Sequence, residues 1–144
     1  MSESTLQAAL TRALSGVVRP GSILINDYHT PQVASRDYAP WLIIETADDV
    51  SLSTGASCTT PSVEWAVYVG LLTYRGGQDD KEHRDDFQEL RRAVLDALAT
   101  AAPALQIRGV EAATVVTRYF NQELEPDPDS LYQRLAVTVI EYGV

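Results

Sequence analysis

The sequence predicts an α+β fold in a single domain: a mainly antiparallel sheet of four or more strands, with two helices packed on one face. Three observations predict it. Apolar residues recur at helical spacing twice, from Leu6 to Val17 and from Phe87 to Leu98. They alternate at strand spacing in Val63–Tyr74 and Leu131–Tyr142. The segments follow the order α-β-β-α-β-β within 144 residues, with no internal repeat or composition boundary, so residues 1–144 read as one domain.

The first helix is expected to start at Ser4, with Gln7 at the capping-box position. Leu6, Ala9, Leu10, Ala13, Leu14 and Val17 share one face, and Gly16 with Pro20-Gly21 ends the element. Ser22–Asp27 fits a short strand. Tyr28–Pro40, with two prolines, reads as a surface loop. Trp41–Thr46 is a strand with apolar residues on both faces, and the polar stretch Ala47–Pro61 fits a hairpin arm. In Val63–Tyr74, Val63, Trp65, Val67, Val69 and Leu71 form one face against Glu64, Ala66, Tyr68, Gly70 and Leu72. After Arg75-Gly76-Gly77 the second helix starts near Asp79 or Asp80, where acids oppose the positive end of the helix dipole. Its apolar stripe is Phe87, Leu90, Val94, Leu95 and Leu98, and Pro103 is expected to stop it. A strand over Val110–Phe120, the acidic insert Asn121–Ser130 and a final strand complete the chain. That final strand sets Leu135, Val137 and Val139 against Tyr132, Ala136, Ile140 and Tyr142. Apolar residues on both faces imply a strand that is sandwiched or covered by another subunit.

Composition excludes several function classes. Twenty acids against eleven Lys plus Arg give a net charge of −9, which repels phosphate backbones and disfavours nucleic-acid binding. The longest apolar run falls far short of a bilayer span, so no membrane role is expected. Residues Met1–Thr5 carry no base and lead into no apolar core, so no secretory leader is expected. Cys58 stands alone, which fits a reducing compartment, and its Ser- and Thr-rich surroundings supply no activating base. Lys81 is the only lysine; the arginine bias suits protein contacts, as does a high-GC coding bias.

No catalytic or cofactor signature emerges, and the chain is not expected to be an enzyme. In the Asp79–Asp86 run, His83 has no second histidine at ligand spacing, and a solvated helix face explains the acids. Asp127-Pro128-Asp129 lacks the glycine and terminal glutamate of a calcium loop. His29 has no nucleophile at an interpretable position. Gly76-Gly77 is followed by acids that repel a phosphate. Neither metal nor cofactor is expected.

Taken together, the Leu6–Leu14 helix, the Trp41–Thr46 and Val63–Tyr74 strands, the Phe87–Leu98 helix and the Arg134–Tyr142 strand resemble the bacteriophage tail terminators. The resemblance covers nearly the whole chain and lies in architecture, not in a motif. It implies a homo-oligomeric ring, of six copies in that family's manner, that caps the tail tube and joins it to the head connector or neck. It also implies partners in the tube and neck proteins, DNA that passes without being specifically bound, assembly in the host cytoplasm and a final place in the virion. The Tyr28–Pro40 loop and the Glu123–Asp129 insert depart from a minimal member and leave the layer of the neck open.

For such a ring, Asp48, Asp49, Glu123, Glu125, Asp127 and Asp129 are candidates to line the lumen or meet a partner ring. Arg75, Arg118, Arg134, Tyr132, Ile140 and Tyr142 are candidates for contacts between subunits, with intrachain salt bridges the alternative for the arginines. Unblocked sheet edges invite pairing with a neighbour, and a head-to-tail contact about an axis closes into a ring; the two long strands are the expected contact elements. A head-side stopper or tube-initiation protein of the same machinery is an alternative. A different class is a small cellular α+β dimer holding a ligand near Tyr28, His29 and Arg36.

Overall fold

The computed structural model describes residues 3–25, 39–53, 62–113, 116 and 129–142, without the side chains of 47–53, 62 and 142. Helix α1 spans Glu3–Leu14, followed by a 3-10 turn at Pro20–Ser22 and the short strand β1, Ile23–Ile25. Strands β2 (Trp41–Ser53) and β3 (Ser62–Tyr74) form a long antiparallel pair. Helix α2 covers Asp80–Leu105, and β4 (Ile107–Ala112) and β5 (Ser130–Tyr142) follow. The fold is the expected α+β domain, with one strand more than the minimal order. The sheet runs β1-β2-β3-β5-β4 and is mixed, because β1 lies parallel to β2 while every other pair is antiparallel.

Both helices lie on one face. Leu6, Leu10 and Leu14 of α1 and Phe87, Leu90, Val94 and Leu98 of α2 meet Leu42, Ile44, Val67, Val69, Leu71, Leu135, Val137 and Val139 in the main core. Strand alternation decides which residues arrive there, since successive side chains point to opposite faces. The opposite face carries a smaller cluster, Trp41, Ile43 and Leu72, packed with Leu24, Ala39, Tyr74 and Tyr132.

Several local expectations are corrected. Ser4 lies inside α1, and the Gln7 amide, instead of closing a capping box, donates to Thr46 Oγ1 at 2.8 Å. Position 7 shares the buried face with Leu6 and Leu10, so the amide reaches the sheet. Pro103 does not stop α2, which continues to Leu105 and ends with Gln106 in the left-handed region at φ 58°. A proline this close to the C-terminus removes one intrahelical bond and leaves the apolar stripe intact. Leu95 is 39% exposed; it lies one residue beyond the buried Val94, and the stripe passes instead through His83, Phe87, Leu90, Val94 and Leu98. Strand β4 begins at Ile107 and not Val110, because the helix ends directly before it; positions 114–115 and 117–120 of the expected strand lie outside the described residues.

The long strands β3 and β5 are interior. Each is paired on both sides, β3 with β2 and β5, and β5 with β3 and β4. Over the paired stretches, which for β5 against β4 are Leu135–Val139, their backbone is used within the chain.

Candidate functional site

Among the described residues, three places that concentrate polar chemistry bear on the site. The first is the sheet face opposite the helices. Strand alternation brings Glu45 of β2, Tyr68 of β3 and Arg134 of β5 to this face, and the register sets Tyr68 against both Glu45 and Ala136. The Arg134 guanidinium lies over the Tyr68 ring, 4.1 Å from its centre, a cation–π contact. Its Nη1 is 3.7 Å from Glu45 Oε2. Tyr132 leans across Gly70, where an added Cβ would come within 2.9 Å of the phenol oxygen; only glycine leaves that space. Burial, helped by the nearby Glu45 carboxylate, pushes the Tyr132 phenol up to about 12.

The second place is the junction of β3, α2 and β5. Arg75 donates from Nη1 to Asp80 at 2.8 Å and from Nη2 to Asp129 at 2.9 Å. These two carboxylates, Asp129 first, hold Arg75 above its ordinary range. Asp79 caps α2, its side chain accepting from the Glu82 N–H at 2.8 Å.

The third is a cleft of about 460 Å³ beside the N-terminal half of α2, lined by Pro40, Thr73, Tyr74, Gln78, His83 and Asp86 among others. His83 is 5% exposed and its Nε2 lies 2.8 Å from Thr73 Oγ1. It does not belong to a solvated helix face. Burial lowers its basicity, and the Arg75 charge adds to this; a hydrogen bond with Thr73 and the charges of Asp86 and Asp80 oppose it. The Gln78 side chain donates to Asp86 at the rim.

The sequence-derived candidates are placed as follows. Arg75 and Asp129, assigned to different roles, pair with each other inside one chain. Arg134 is likewise engaged within its own sheet. Tyr132 and Ile140 are half-buried on the face opposite the helices. Asp48 and Asp49 fall where Ala47, Asp48 and Asp49 together stand against Ala66, an irregularity between Thr46 and Val50. The side chains of Asp48, Asp49 and Tyr142, and all of Arg118, Glu123, Glu125 and Asp127, lie outside the described residues, as do Tyr28, His29, Arg36 and Cys58.

Glu45, Tyr68 and the His83–Thr73 pair were not singled out as sites from the sequence. The residues on β2, β3 and β5 could be found only through the register across the sheet. His83 carried a local signal: it stands four residues before Phe87 on the apolar stripe.

Among the described residues no group of three or more His, Cys, Asp or Glu side chains is arranged to hold a metal ion. No described helix is long and apolar enough to cross a membrane. Comparison with protein-family models gives no match, and comparison with curated proteins gives none.

Proposed function

We propose that this chain is a structural, non-catalytic ring subunit of the tail-terminator type. Six copies cap a phage tail tube, join it to the head connector or neck, and let DNA pass. One observation carries the reading: both helices lie on one side of a five-stranded sheet, and among the described residues no helix covers the other face, where only the small apolar Trp41–Ile43–Leu72 cluster is buried, nor does a further strand flank β1 or β4. That face presents Tyr68, Tyr132, Ala136 and Ile140 half-buried, a surface suited to protein contact. Charge supports the conduit. Six copies of −9 sum to a formal −54, and acids facing a lumen repel the duplex over about 8 Å at physiological salt.

Mass photometry and negative-stain imaging of the purified protein, alone and with tube protein, test the proposal. Rings near six subunits are expected. A monomer under both conditions rejects it. A stopper or tube-initiation subunit would form similar particles, and its level in a virion map separates those roles.

The cleft at His83 favours a second reading, a ligand-binding dimer, because a volume of about 460 Å³ suits a small molecule. Ligand-dependent thermal stabilisation of a two-subunit species would support it over the ring.

A further inference from the structure

We infer that neighbouring copies join edge to edge, with β4 of one copy paired antiparallel to β1 of the next. This rests on the ring reading and locates its contact. Strands β3 and β5 are interior and β1 and β4 are the outermost strands of the described sheet, β1 pairing with β2 over Leu42–Ile44 and β4 with β5 over Leu135–Val139.

Strand direction favours this pairing. Strand β1 runs with β2, β3 runs against β2, β5 against β3, and β4 against β5. The two outer strands therefore run in opposite senses. Moving one copy sideways along its sheet brings β4 against β1 as an antiparallel ladder, which is more stable per residue than a parallel one. The parallel placement of β1, which was not expected, creates this match. Because the two edges differ, the contact is head-to-tail, the kind that a rotation closes into a ring.

The side chains agree. Ile23 of β1 and Ile107 and Val110 of β4 all pack partly against the helix-side core and remain incompletely covered. Ile25, on the same face as Ile23, is 43% exposed. Edge pairing places these aliphatic residues beside one another on one face.

Register follows from the sheet. Ile25 is level with Ile44, Val69, Leu135 and then Ala112. Straight continuation sets Ile25 opposite Ala112, and a slide of two residues, about 7 Å, sets it opposite Val110. A one-residue slide turns the aliphatic side chains to the wrong face and is excluded.

Cysteine cross-linking tests this in a Cys58→Ser background, on oligomer formed with or without tube protein. One chain carries Ile25→Cys; a second carries Ala112→Cys or Val110→Cys. Oxidation is expected to give disulfide-linked pairs when the two kinds of chain are mixed, and none from either alone. A chain bearing Ile25→Cys together with the productive β4 substitution should give a ladder up to the full ring. Rings that give no mixed cross-link at either β4 position overturn the edge contact while sparing the ring reading. Self-linking of Val110→Cys chains also overturns it, because that reports a two-fold β4–β4 contact. Failure of the Cys58→Ser chain and the wild-type chain to form any oligomer rejects both.

Discussion

Arg134 shows how a residue with the right chemistry for an interface becomes committed within its own chain. It holds Glu45 and covers Tyr68, so Arg134→Glu would set two carboxylates together on the sheet. Destabilisation of about 1–3 kcal/mol is expected, read as a lower urea midpoint. Assembly measured with that variant would reflect folding and contact together. His83 makes a pH prediction. Its basicity is lowered in the fold, so the unfolded chain takes up the proton first. The resulting stability is fully present above the ordinary histidine value near 6.5 and is lost as pH falls through the lower folded value. Asp80, Asp86, Glu89 and Arg75 lie around the same cleft and junction and are common to the wild type and to His83→Gln. Thermal melts should therefore show a steeper loss below pH 6.5 for the wild type than for His83→Gln; equal slopes would dismiss the role. Tyr132 has the opposite sign. With its phenol pushed up to about 12, the folded chain keeps a proton that the unfolded chain loses near 10. Stability should fall by about 2–3 kcal/mol across that interval, and absorbance at the phenolate band should show one tyrosine ionising late.

At the scale of elements, helix α2 has a strong start and a strained end. Asp79 satisfies a free N–H in the first turn, while Gln106 adopts a left-handed conformation that favours glycine. Gln106→Gly should raise stability by about 0.5–1 kcal/mol, and Asp79→Ala should lower it by about 1 kcal/mol. Denaturant melts of both variants check the pair, and opposite signs are required. The start of this helix was legible because acids and a turn stand together in sequence. Its end was not: Pro103 carries a strong stop signal, yet packing of the Phe87–Leu98 stripe outweighs one missing hydrogen bond. The hairpin arm of β2 and β3 was visible in the polar stretch between two apolar runs. The irregularity around Asp48 depends on what stands opposite and could not be read from β2 alone.

For the whole molecule, charge and sheet topology govern behaviour together. A chain with a net −9 should leave duplex DNA unretarded in a gel, even at low salt where cationic contacts would be strongest. Retardation that disappears as salt rises would reveal a basic surface and contradict a passive conduit. The two long strands looked like contact elements because both carry apolar residues on two faces. In the sheet they are central, with one face under the helices, β3 paired with β2 and β5, and β5 paired with β3 and, over Leu135–Val139, with β4.

The sequence by itself determined the α+β class, the helix and strand order and the main core, because period and burial are local consequences of where apolar side chains recur. It also determined the acidic surface. Tertiary structure alone decided that β1 lies parallel to β2, that β4 and β1 are the outer strands, and that Arg75 meets Asp129 while Arg134 meets Glu45. Those outcomes depend on which strands lie side by side and in what register, and residues distant along the chain carry no local signal of their neighbours.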